Sequence, residues 1–104
     1  MKSKEERRQD GLRQSFKLFR TNCRGNGIKV SIAFKTFVYL LTSDLCFYCG
    51  MPFNTQRGMY RCIDRIDRDI PYTRDNTVTC CTWCFHLRNN FFTPSEILEL
   101  SCQV

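Results

Sequence analysis

The chain has 104 residues, with sixteen bases, ten acids and eight cysteines, for a formal net charge of +6. A hydrophobic core of that size alone leaves one small domain only marginally stable, so a staple of disulfides or metal is expected. No apolar run approaches the length of a membrane span, and Met1 to Arg8 are charged with no apolar signal-peptide core behind them, which excludes a membrane-spanning helix and argues for an intracellular protein.

Residues 3 to 20 carry Leu12, Phe16 and Phe19 on one stripe with bases on the other faces, a helical pattern weakened in its middle by Gly11. Asn22 to Gly27 is expected to turn, and Ile28, Lys29 and Val30 to extend. Ser31 then caps a second predicted helix from Ile32 to about Leu41, whose Phe34, Phe37, Val38 and Leu41 share a face and belong to the core. After Cys46-Phe47-Tyr48-Cys49-Gly50 an irregular stretch reaches Gly58. Tyr60 to Ile66 and Thr77 to Cys80 read as paired strands joined by a loop over Asp69 to Asn76, and residues 82 to 90 as a short helix. Thr93-Pro94-Ser95-Glu96 has the form of a capped helix start, so a closing helix is expected from Pro94 to about Ser101.

Cys46 and Cys49 are separated by two residues, as are Cys81 and Cys84. That spacing lets each tight turn present two sulfurs to one ion while its amides donate to the thiolates, and four sulfurs close a tetrahedral Zn²⁺ site that leaves no position for water. Such a zinc is structural. Cys80 competes with Cys81 for the third place, although only Cys81 keeps the two-residue spacing; Cys23, Cys62 and Cys102 read as small buried hydrophobes. Four thiolates with their ion lower the net charge to about +4. The whole basic excess lies in residues 1 to 29, nine bases against three acids, whereas the remainder is balanced. A basic N-terminal helix on a neutral body suits nucleic acid, held without sequence preference, or an acidic protein surface.

With these residues in place, the stretch from Ile28 to Leu100 resembles the small zinc-bearing HNH endonucleases of phages and large DNA viruses. The resemblance rests on Cys46 to Gly50, Asp64-Arg65-Ile66-Asp67, Pro71-Tyr72, Asn76, Cys81 and Cys84, then Phe85 and Arg88, in the family's order. It implies an α+β fold: a zinc-stapled ββα core with N-terminal helices and a C-terminal helix. Residues 28–104 would form the HNH-like domain, and residues 1–27 a basic helix and turn packed into the same unit.

The resemblance also implies roles. In such enzymes a strand carboxylate and a helix His or Asn hold one divalent metal, a strand His takes the proton from the attacking water, and an Asn braces the loop. Carried over, Asp64 is the carboxylate and Asn76 the brace. Arg65 stands at the base position, where a guanidinium can grip phosphate but cannot accept a proton. Phe85 stands at the helix-ligand position and has no lone pair, and His86, the chain's single histidine, is one position removed.

Two readings follow. One is a degenerate module that binds nucleic acid through Arg7, Arg8, Arg13, Lys17, Arg20, Arg24, Arg65 and Arg88, or serves as a structural or packaging component among virion proteins. The other is a working Mg²⁺- or Mn²⁺-dependent endonuclease using Asp64, Asn76 and a displaced His86. A viral origin places either in the host cytoplasm or nucleus, or in the virion.

Overall fold

A computed structural model describes residues 1–90. Helix α1 spans Lys4–Gly25 and opens on a reciprocal cap: Ser3 Oγ accepts from the Glu6 amide, and the Glu6 carboxylate accepts from the Ser3 amide. The helix runs past the expected end at residue 20 because Cys23, which is buried, continues the half-buried stripe of Leu12, Phe16 and Phe19. The turn falls instead at Asn26-Gly27, where Gly27 has a positive φ of 72° and the Ile28 amide reaches back to the Cys23 carbonyl.

Strand β1 (Val30–Ser31) follows, then helix α2 (Phe34–Leu41). Ser31 was expected to cap α2, but it pairs with Thr73 in the sheet, and the cap position falls to Ala33, which has no side-chain donor or acceptor to offer. Phe16 packs on Phe34 and Phe37, with ring centroids 5.7 and 4.9 Å apart, and Phe19 packs on Phe37 and Tyr72. These aromatics are core, as their helical spacing predicts, and they clamp α1 to α2 and to the strand that contains Tyr72.

Strand β2 (Arg61–Arg65) and strand β4 (Thr77–Cys81) pair antiparallel from Arg61 opposite Cys81 to Arg65 opposite Thr77. Between them lies β3 (Tyr72–Thr73), parallel to β1, within the stretch expected to be loop. Helix α3 (Thr82–Asn90) leaves β4 without a linker. Side chains alternate across a strand, so Thr79, whose hydroxyl donates to the Leu40 carbonyl, faces α2, while Asp64, bonded to Arg88, faces α3. The β2–β4 hairpin is therefore held between two helices, with Cys46, Tyr48, Val78, Cys80, Cys81 and Cys84 as its buried core. This is the ββα arrangement expected, with N-terminal helices added. The closing helix expected over residues 94–101, and Cys102, lie outside the described residues.

Candidate functional site

The knuckle from Cys46 to Gly50 is one tight turn: the Gly50 amide bonds to the Cys46 carbonyl at 2.9 Å, and Gly50 takes a positive φ of 72° that other residues adopt reluctantly. The Phe47 amide bonds to the Thr79 carbonyl and ties this turn to the outer edge of β4. Cys81 ends β4 and Cys84 sits on the first turn of α3, so both pairs converge. The Sγ atoms of Cys46, Cys49, Cys81 and Cys84 lie within 4.8 Å of one another, and none of the described cysteines is in a disulfide.

The donor set fits a tetrahedral thiolate centre. A Zn–S bond of about 2.3 Å requires sulfurs roughly 3.8 Å apart, and Cys49 Sγ and Cys81 Sγ are separated by 3.9 Å. Cys46 Sγ accepts from the amides of Cys49 at 3.5 Å and Cys81 at 3.3 Å. A hydrogen bond from the Cys84 thiol, with those amides adding to it, holds the Cys46 thiol down at about 4, whereas burial pushes Cys49 up to about 11. One sulfur, that of Cys46, is thus favoured as thiolate, while burial keeps Cys49 and the hydrogen bond to Cys46 keeps Cys84 protonated, and a bound cation would displace those protons. Cys81 belongs to the cluster; Cys80, on the opposite face of β4, is fully buried beside Val78 and Cys62.

Behind the cysteine cluster, on the α3 side of the hairpin, lies the second group of expected site residues. Asp64 is only 4% exposed, and its Oδ2 accepts from Tyr48 Oη at 2.9 Å and from Arg88 Nε at 3.1 Å. Arg88 is 9% exposed, and its Nη2 also donates to the Arg65 and Ile66 carbonyls. Burial and the adjacent Asp64 carboxylate push the Tyr48 phenol up, so it stays protonated and remains a donor. Tyr48 was not singled out in the sequence; its position between Cys46 and Cys49 was the available signal. Arg88, expected to grip phosphate, is instead committed inward and has no surface to offer a ligand.

Asn76 is buried at the start of β4. Its amide donates to the carbonyls of Asp67, Ile70 and Pro71, and its Oδ1 accepts from the Asp67 amide at 2.8 Å. One side chain therefore fastens the whole turn from 67 to 71. Arg65 lies over the Tyr72 ring at 5.2 Å and donates to the Ile70 carbonyl, on the opposite face of β2 from Asp64. Phe85 packs against the core around the cysteines. His86 is exposed and lies two helical positions from Arg88, about 200° around α3. The structure does not bring it to Asp64.

The expected nucleic-acid residues on α1 divide into two sets. Arg13, Lys17, Arg20 and Arg24 are all exposed and recur at i, i+4, i+7 and i+11, a single flank about 16 Å long with no acid on it. The Arg13 guanidinium stacks on Phe34 at 4.5 Å and that of Arg20 on Phe16 at 5.5 Å, which limits their freedom. Near the N-terminus charge is compensated: Arg8 pairs with Glu5 at 3.4 Å and Lys2 with Asp10, while Arg7 lies off the flank.

No family model matches the chain. A 73-residue stretch, 69% of the chain, is 34% identical to the uncharacterized protein R423 of Acanthamoeba polyphaga mimivirus, and it spans only 13% of that protein's length. Among solved structures the chain is similar to the rare-cutting HNH restriction endonuclease PacI, with a TM-score of 0.66 over 86% of this chain and 73% of that one, at 21% identity. That likeness shows an HNH endonuclease fold, and the viral relative agrees with the kind of genome the sequence resemblance pointed to.

Proposed function

We propose that this chain is a zinc-stapled HNH-like module that binds nucleic acid through α1 and does not cut it. The observation that carries this reading is the state of Asp64: a buried carboxylate with Oδ2 engaged by both Tyr48 and Arg88, while Arg65 turns to the other face of β2 and Phe85 packs on the core, so that neither supplies a base or a second metal ligand. A catalytic Mg²⁺ would rest on one half-engaged carboxylate, and that ion needs several oxygens in near-octahedral order. Asn76 and the turn it ties remain as scaffold, and His86 faces away from the carboxylate.

Binding is supported by the Arg13, Lys17, Arg20 and Arg24 flank, which is free of acids and pre-stacked at two of its four positions. Among the described residues no element presents a fitted set of base-reading side chains, so the contacts would be to phosphate and indifferent to sequence. A packaging or structural role within a virion is compatible with such contacts.

Binding should therefore fall steeply with salt. Replacing all four flank residues by Gln should reduce the log–log salt slope by about 3 to 4 on duplex DNA. Replacing Arg7 and Arg8 should change it by less than half as much. Fluorescence anisotropy at several salt concentrations, on protein verified to hold its metal, reads both. No binding by the wild type even at low salt would show that α1 meets an acidic protein surface instead.

A further inference from the structure

Tyr39 near the end of α2 and Phe47 of the cysteine knuckle leave their rings open, 73% and 47% exposed. With Leu45 they line one cavity of about 490 Å³ beside β4, within the roughly 300–1,000 Å³ of small-ligand clefts. The Phe47 ring is restrained by buried Tyr48, which it meets edge-on with centroids 5.3 Å apart. Tyr39 also lines a second cavity, whose rim carries Lys35, one helical turn earlier, and Arg74. Both cations are exposed, and neither is paired with an acid among the described residues. No acid lines this second cavity, whereas Asp44 lines the first. Charge therefore divides the two cavities that share Tyr39. Lys35 also follows Phe34, on whose ring Arg13 is stacked, so the cationic side continues the basic flank of α1 over the start of α2.

We infer that this face seats a single strand of nucleic acid, with a base stacked on Tyr39 in the cavity it shares with Phe47 and the adjoining phosphates on Lys35 and Arg74. A duplex keeps its base faces inside its own stack, so an open ring beside cations has no partner on it. An unpaired strand offers both halves of the match, a π face for the ring and phosphates for the bases beside it. Asp44 repels phosphate from the aromatic cavity, which decides the side that the backbone takes. Stacking of this kind is tolerant of sequence, as are the phosphate contacts of the α1 flank. The inference rests on the proposed nucleic-acid binding and adds to it the kind of strand that is held.

A short thymidine oligomer carrying one 2-aminopurine reports the contact directly, because the emission of that base falls when it stacks on an aromatic ring. Titrating it with the zinc-loaded full chain at low salt should quench the emission. Tyr39→Ala should abolish the quenching and weaken binding of the oligomer about 5- to 150-fold, the worth of one base on one ring, while Tyr39→Phe, which keeps the π face, should preserve both. Neither variant should alter binding to a duplex. The double variant Lys35→Gln, Arg74→Gln should lower the log–log salt slope for the oligomer by about 1.4. Ribose and deoxyribose oligomers tell RNA from DNA, and quenching of either meets the expectation. Duplex binding with no quenching of the oligomer, or quenching that Tyr39→Ala leaves unchanged, overturns this inference alone. Binding to neither strand form overturns the proposed binding with it. Dimerisation that Phe47→Ser abolishes, with no quenching, assigns the face to a second copy and overturns the inference too.

Discussion

Stripping the metal from this protein is expected to unfold it rather than loosen it. Cys46, Cys81 and Cys84 are buried in the middle of the core, and Cys49 closes the set at its edge. A structural Zn²⁺ contributes roughly 10–16 kcal/mol in small domains at neutral pH, as much as or more than the roughly 5–15 kcal/mol of a whole domain's stability. Purified protein should hold about one Zn²⁺ per chain, and a strong chelator should abolish its helical circular dichroism. Cys49→Ser or Cys81→Ser should do the same, whereas Cys80→Ala should retain the metal, because Cys80 lies on the other face of β4.

Acid should act like the chelator, because protons compete with the ion for the same four sulfurs. Lowering the pH protonates the ligands, releases the metal and should remove the helical signal as chelation does. Protein isolated without metal, with Cys46 joined to Cys49 and Cys81 to Cys84, would contradict the zinc assignment.

The second large effect is expected at Arg88. Arg88→Met leaves Asp64 as an uncompensated buried charge and uncaps the carbonyls of Arg65 and Ile66, which should cost about 3–5 kcal/mol. Tyr48→Phe removes only a neutral donor to the same oxygen and should cost about 1–3 kcal/mol. Adding Asp64→Leu to Arg88→Met should recover part of the loss, since the stranded charge goes while the uncapped carbonyls stay. Urea denaturation of the zinc-loaded variants measures all three. A cost below about 1 kcal/mol for Arg88→Met would mean that the pair is hydrated in solution and that Asp64 is open to other partners.

The parts of this fold that were legible in the sequence carry strong local chemistry. The two cysteine pairs, the phenylalanine stripes of α1 and α2 and the hairpin strands all follow from spacing alone. The parts that were not legible depend on contacts distant in sequence. The β1–β3 pairing takes only two residues from each side, too few for any periodicity, and it is what draws Ser31 away from the cap of α2. Likewise, Cys23 lengthens α1 because a buried stripe outweighs the turn preference of Asn22 and its neighbours. Arg88 looked like a surface base because no rule of spacing shows that it will turn inward to Asp64, on the face of β2 that α3 covers.

A nicking assay on supercoiled plasmid tests the proposed absence of cutting most directly. Missing general-base help alone costs about 10²- to 10⁴-fold, and Phe85 removes a metal ligand as well, so zinc-loaded wild-type protein should leave the plasmid intact in Mg²⁺ or Mn²⁺. The double variant Arg65→His, Phe85→Asn should gain metal-dependent nicking if the ββα geometry is still sound. Nicking by the wild type in Mg²⁺ that Asp64→Ala abolishes would contradict the account, and would make this substituted site a working one.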